Sequence, residues 1–365
     1  MADLECGIVG LPNVGKSTLF NALTKKGIPS ENYPFCTIDP HVGIVEVPDP
    51  RIEKLHEMTK SKKIIFPTMT FIDIAGLVKG AASGEGLGNK FLSNIRETHA
   101  IIHVVRCFEN EDVIHVEGRI DPIKDIQTID LELILADLQM CENALTKLEK
   151  QAKGKKGLEP SIDALCFVRD QLNENIPVRH LQLSDEQKSA LKIYNFLTDK
   201  PVIYLTNVDE ASLPSMENDF VRQVRAYAEK EGSSVIPICA QLEQELASLS
   251  DEESMEYLQS LGLEETGLAR LIRASYKLLG LMTFFTSGEQ ETRGWTIQKN
   301  TKAPEAAGQI HTDIQKGFIR AETIGYDDFI KCGSRSAAKD AGVARIEGKE
   351  YIVKDGDVIL FFHNQ

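Results

Sequence analysis

The sequence predicts an α/β fold: a mostly parallel sheet with helices on both faces. Three observations carry that expectation. An apolar run, Cys6-Gly7-Ile8-Val9, leads into the glycine loop Gly10-Leu11-Pro12-Asn13-Val14-Gly15-Lys16-Ser17 and then into Thr18-Leu19-Phe20-Asn21-Ala22-Leu23-Thr24, which has helical composition. Ile101 to Cys107 and Pro201 to Asn207 are short, nearly unbroken apolar runs of the kind that a buried parallel strand requires. Between the last two runs, Leu131 to Leu172 carry helical rather than alternating periodicity.

The loop reads G-x-x-x-x-G-K-S in the context strand, loop, helix, which makes it a phosphate site. Backbone N–H groups from Asn13 to Thr18, with the positive end of the helix, form a nest for phosphate oxygens. Lys16 is placed to reach the β- and γ-phosphates and the Ser17 hydroxyl to ligate Mg²⁺. Ser30 to Pro40 holds two prolines and no helical period, so a loop is expected; Thr37 is its one residue suited to meet Mg²⁺ and a γ-phosphate. His41 to Val47 and Thr68 to Asp73 read as strands, the second ending in Asp73-Ile74-Ala75-Gly76, a D-x-x-G pattern. There Asp73 holds Mg²⁺ through water and Gly76 donates its N–H to the γ-phosphate. The glycine-rich run Gly80 to Gly88 follows no strand, so it reads as a switch loop and not as a dinucleotide fingerprint.

The stretches GLPNVGKST (10–18), YPFCTIDP (33–40) and DIAGLVKGAASGEGLG (73–88) resemble the Obg-related branch of P-loop NTPases, within the TRAFAC class. Over essentially its whole length the chain resembles the Obg-like ATPase, or YchF, subfamily. That resemblance implies ATP as substrate, Mg²⁺ as cofactor and the ribosome or translation machinery as partner.

About 90 residues separate the strand at 101–107 from the one at 201–207, far more than a crossover helix needs. Leu131, Leu135, Leu138, Cys141, Leu145 and Leu148 recur in steps of four and three, and Ile162, Leu165, Arg169 and Leu172 continue the pattern past a break at Gly154, Gly157 and Pro160. An antiparallel helical hairpin over about 122–198, inserted into the nucleotide-binding domain, is expected. Its tip carries Lys147, Lys150, Lys153, Lys155 and Lys156, either a solvated end or, as the resemblance favours, a contact for RNA phosphates.

GTP switches end their base-reading strand in N-K-x-D, whose aspartate pairs with two donors found on guanine. Here the residues are Asn207-Val208-Asp209-Glu210. Asn207 suits the N6/N7 edge of adenine, and the loss of the aspartate relaxes or reverses guanine preference. Val208 and Glu210 mark the departure, and Ala240 is expected to make the last base contact through its backbone. Leu77 stands where many switches carry a water-orienting glutamine, so His115, on a polar loop beyond the strand at 101–107, is the candidate to position water. His103, mid-strand, reads as a core residue. Asn13 resembles the asparagine of potassium-stimulated relatives, which adds K⁺ as a possible activator.

From about Leu281 the pattern turns to short strands, and Ala306 to Ala321 resembles the TGS domain, a ubiquitin-like β-grasp fold. The expected division is 1–279 for the G domain and 280–365 for TGS. His311 with Asp313 reads as a turn or a recognition surface and not as a metal or catalytic pair. Seven scattered cysteines without C-x-x-C, and an N-terminus without a basic signal region, fit a cytoplasmic chain. A net charge of −14 argues against broad binding to nucleic acid or anionic membrane. The expectation is a monomeric Mg²⁺-dependent ATPase that binds the ribosome. Two alternatives stay open: an Obg-type GTPase, and a ribosome-binding module that keeps nucleotide only as a structural ligand.

Overall fold

The computed structural model describes residues 4–25, 41–74, 87–110, 119–154 and 157–364, without the side chains of 87–90. Thr37, Gly76, His115, Lys155 and Lys156 lie outside the described residues. The chain divides into two units, residues 4–43 with 70–270, and residues 44–69 with 271–364.

The first unit is built on a six-stranded sheet. Its strands are β1 (Glu5–Val9), β2 (Val42–Glu46), β4 (Thr68–Asp73), β5 (Ala100–Arg106), β6 (Val202–Asn207) and β7 (Ser234–Ile238), in the order β2-β4-β1-β5-β6-β7. From β4 to β7 every pairing is parallel. All seven residues of β5 and all six of β6 are buried, as a parallel strand covered on both faces demands. The register Ile8↔Asp73, Val9↔His103 and Arg106↔Asn207 gathers the carboxyl ends of β1, β4, β5 and β6 at one edge, where open α/β sheets bind ligands.

Between β5 and β6 stands the expected hairpin. Asp121 accepts from the Lys124 N–H and Pro122 opens a helix that runs from Pro122 to Ala152, about 46 Å at 1.5 Å per residue. It packs against the helix Glu159–Asn173 through Ile134, Cys141 and Leu145 on one side and Leu165, Val168 and Leu172 on the other. Leu131 and Leu135, expected in that seam, are instead exposed. Near its base the long helix buries Ile126, Ile129, Leu133 and Ile134, so the buried stripe rotates away from the leucine row there. Asp137, fully buried, accepts from the backbone N–H groups of Leu197 and Thr198 and from the Thr198 hydroxyl, pinning the returning chain to the helix.

The second unit holds a mixed sheet in the order β11-β10-β12-β8-β9-β3. Its strands are β3 (Lys63–Ile65), β8 (Leu281–Ser287), β9 (Glu291–Gln298), β10 (Phe318–Gly325), β11 (Arg345–Glu347) and β12 (Asp357–His363). β8 and β9 form a hairpin, the helix Ala303–Ile310 crosses over, and β12 returns parallel to β8. This is the β-grasp arrangement. Alternation along the strands gives the sheet two apolar faces. Phe284 and Ile359 face one core with Trp295, Ala306 and Ala307; Phe285 and Val358 face the other. The second face is covered by Ile52 and Leu55 of the helix Pro50–Thr59. β3 also pairs with β9. The helix Pro50–Thr59 and β3 therefore belong with the C-terminal sheet, whereas the division at 279/280 assigns them to the G domain. The sheet has a second apolar face to cover, which neither chain segment reveals when read alone. Beyond the named strands, Lys302 and Ile352 form an isolated antiparallel bridge. His311 caps the helix Thr312–Lys316 by accepting from the Asp313 N–H.

Candidate functional site

The glycine loop leaves β1 and turns into the helix Lys16–Lys25, whose first closing bond runs from the Leu19 N–H to the Gly15 carbonyl. The N–H groups of the first turn have no partner further back in the helix and point toward the loop. Two glycines are required by what surrounds them. A side chain at Gly10 would meet the Val104 carbonyl 2.9 Å away. Gly15 has φ +95°, and a Cβ there would collide with the Asn207 amide. Asn13 also adopts positive φ, +64°, a conformation that asparagine tolerates.

Asn207, at the end of β6, is the keystone of the loop. Its Nδ2 donates to the Val14 carbonyl at 2.9 Å, and its Oδ1 accepts from the Ala240 N–H at 3.0 Å. The buried amide thus ties the loop to the start of the helix Ala240–Leu246. One amide hydrogen and one oxygen lone pair stay available for a base. Ala240, expected to contact the base through its backbone, has its N–H engaged by Asn207. Val208 is buried. Glu210 is exposed and opens a 3₁₀ turn, Glu210–Ser212, in which Asp209 accepts from the Ser212 hydroxyl at 2.8 Å.

Lys16 donates through Nζ to Asp73 Oδ1, which joins the loop to the end of β4. Asp73 is anchored in turn by its own N–H on the His41 carbonyl at 2.8 Å. The Ser17 hydroxyl is exposed at the start of the helix. A hydroxyl and a carboxylate beside an N–H-lined cradle form a hard-oxygen donor set suited to Mg²⁺, and the two tight glycines leave the backbone open to phosphate. The residues present fit the group. Bound there, Mg²⁺ would neutralise charge on the phosphate oxygens, and Lys16 would exchange Asp73 for phosphate.

Two features escape the sequence reading. Arg106, at the end of β5, is buried; it donates to the carbonyls of Phe108 and Asn110, both at 3.2 Å, and lies over the Phe108 ring. Burial lowers its pKa, and Asp125 works the other way. It fixes the backbone of Phe108 and Asn110 just beyond the strand. A lone arginine at the end of an apolar run was the available signal. Asn218 caps the helix Asp219–Glu231 and donates to the Cys107 carbonyl at 2.8 Å, buttressing the same strand end. His103 is a core residue, as expected. Burial is the main cause that pulls its pKa down to about 4, with Arg179 adding to it and Asp130 opposing, so the ring is neutral near pH 7.

Comparison with known proteins agrees with this geometry. Residues 5–137 match the family described as a 50S ribosome-binding GTPase, and 281–364 match a YchF-type C-terminal family described as a protein of unknown function. Proteins named "Ribosome-binding ATPase YchF" from Haemophilus influenzae and Escherichia coli O157:H7 are each 55% identical over 361 residues, covering 99% of both chains. The Bacillus subtilis protein of that name is 52% identical over 364 residues, again with 99% of both covered. The solved structure of the Schizosaccharomyces pombe YchF GTPase superposes with a TM-score of 0.89 at 38% identity, over 99% of this chain and 98% of that one. The chain belongs to the YchF family, in the Obg-related branch of the P-loop NTPases.

Proposed function

We propose that this chain is a Mg²⁺-dependent ATP hydrolase that binds the ribosome and signals its nucleotide state to it. Support comes from the full-length relatives named ribosome-binding ATPases and from the phosphate cradle. The observation that carries the choice of ATP is the base-reading end of β6. Val208 is buried and Glu210 opens an exposed 3₁₀ turn where a guanine-reading aspartate would be needed, and Asp209 is held by Ser212. Without that carboxylate, guanine's two donors lose their acceptor, worth about 1–3 kcal/mol or roughly five- to a hundredfold in affinity.

The roles follow residue by residue. Asn13, Val14, Gly15, Lys16, Ser17 and Thr18 hold the phosphates; Ser17, Thr37 and, through water, Asp73 hold the metal. Gly76 reads the γ-phosphate and His115 orients the attacking water. Asn207 supports the loop and uses its remaining donor on the base, beside Val208, Glu210 and Ala240. K⁺ stimulates turnover through Asn13, which a rate measured in potassium against sodium tests directly. The ribosome contact involves RNA at Lys147, Lys150, Lys153, Lys155 and Lys156, together with the β-grasp unit. Lys147, Lys150 and Lys153 are all exposed. Among the described residues no helix is long and apolar enough to cross a membrane. A monomer working in the cytoplasm is the simplest form of this function.

The test is competition binding of ATP and GTP with Mg²⁺, for the wild type and for Val208→Lys combined with Glu210→Asp. ATP preference that shifts toward GTP in the double variant supports the reading. GTP preference in the wild type overturns it in favour of an Obg-type GTPase. Co-sedimentation with ribosomes in the presence of ATP tests the partner.

A further inference from the structure

The helix that follows the D-x-x-G loop, Leu87–Glu97, and the long hairpin helix together bound a cavity of about 580 Å³ in the first unit. The hairpin helix presents two adjacent rows to it, each spaced by four residues. Ala136, Met140, Ala144 and Leu148 form the floor, buried or half-buried. Gln139, Asn143, Lys147 and Gln151 form the rim, fully exposed. Twelve residues of floor make a trough about 18 Å long. The two alanines hollow it, and Met140 supplies an adaptable apolar surface. From the facing helix, Leu92 and Arg96 line it.

The charges are one-sided. Among the described residues the lining includes Arg96 and Lys147 and no carboxylate, in a chain whose net charge is −14. The walls are also held at a fixed spacing. Arg96 donates to the carbonyls of Tyr194 and Asn195, at 3.4 and 3.2 Å, and the Arg96 carbonyl accepts from the Asn195 amide at 2.9 Å. Lys200, buried, donates to the carbonyls of Arg96 and Thr98. Asp137 then ties Leu197 and Thr198 back to the hairpin helix. The trough is preformed, which lowers the cost of filling it.

We propose that this trough is a docking site for an amphipathic helix of a partner protein, an apolar row lying on Ala136 to Leu148 and flanking carboxylates meeting Arg96 and Lys147. An apolar row at i, i+4, i+7 and i+11 of a helix matches the floor in length. Single-stranded RNA fits less well. It binds on stacked aromatic platforms, and among the described residues Tyr194 is the lone aromatic ring in the lining.

The test uses the full-length protein and a phage-displayed library of random 16-residue helical peptides, with counter-selection against Ala144→Trp, which fills the hollow. Enriched peptides should carry an apolar row with flanking Asp or Glu. As free fluorescent peptides they should bind Ala144→Trp and Lys147→Glu about tenfold more weakly than wild type. Lys147→Glu, a change at an exposed position, should also shift preference toward peptides with basic flanks, which a folding defect cannot do. Thermal melting of both variants reports whether the fold is kept; if Ala144→Trp melts early, Lys147→Glu alone decides. The proposal is overturned if no peptide separates wild type from the variants, or if the enriched peptides lack acidic flanks. Displacement by oligo(U) of a peptide that Lys147→Glu does not weaken would assign the trough to RNA instead.

Discussion

In the parallel sheet the buried polar side chains include His103, Arg106 and Asn207, beside the hydroxyls of Thr70 and Thr206, with Lys200 just before β6. In the mixed sheet they are mainly hydroxyls. Tyr276 reaches the Met282 carbonyl and the hydroxyls of Thr283 and Thr296, all within 3.1 Å. Thr292 meets the hydroxyls of Ser61, Thr59 and Ser287. Hydroxyls both donate and accept, so they close small networks among strands without burying charge. Guanidinium and amide groups cost more to bury, and here they lie where a loop has to be held at the sheet's carboxyl edge. Arg106 and Asn207 hold loops at the end of their strands, whereas the hydroxyls around Tyr276 and Thr292 hold strands and helices to one another.

The sharpest break between the two sheets should come from Lys16→Ala. ATP hydrolysis should fall on the order of a thousandfold, while the melting temperature stays within a few degrees. Equal turnover in the variant would remove the loop from catalysis. The second largest effect concerns pH. The His103 pKa falls from 6.5 to about 4 in the fold, so its contribution is full above pH 6.5 and is lost as pH drops toward 4. Wild type should lose about 3 kcal/mol more than His103→Phe between pH 7 and 4 in chemical denaturation. Parallel curves would show that the ring titrates normally. Asn207→Ala should cost about 2–3 kcal/mol, since it deletes two buried hydrogen bonds and strands the Val14 carbonyl and the Ala240 N–H. Weaker ATP binding should accompany that loss; a variant that melts early but binds ATP normally would make the amide purely structural. The smallest effect belongs to the mixed sheet. Glu322, buried, pairs with Arg335 and Lys339 at 3.1 and 2.9 Å, and Glu322→Gln should cost about 1–2 kcal/mol, with ATP affinity unchanged as measured by titration. A change in ATP affinity would mean that the two units communicate through this edge.

Much of the first unit was legible because its signals are local. A glycine loop between strand and helix declares itself over a dozen residues, and β5 and β6 announce their burial in unbroken apolar runs. The hairpin was legible by elimination, from 90 residues with nowhere else to go. What escaped depends on partners distant in the chain. Leu131 and Leu135 fit a leucine seam as well as any, but the base of the long helix buries Ile126, Ile129 and Leu133 instead. The Asn207 amide could be named as a base reader, whereas its bonds to Val14 and Ala240 span 193 and 33 residues and leave no trace in the local pattern. The pairing of β3 with β9 is more distant still.

That pairing has a consequence for how the protein is made. Residues 44–69 leave the ribosomal tunnel long before the strands they complete, and Leu55 precedes Phe285, its neighbour in one core, by 230 positions. At about 5–20 residues per second, the helix Pro50–Thr59 waits roughly ten to fifty seconds with Ile52 and Leu55 uncovered. A nascent chain in that interval presents an apolar helix to any chaperone nearby. Premature termination anywhere before 281 would leave the exposure permanent, giving quality control a ready mark for incomplete copies.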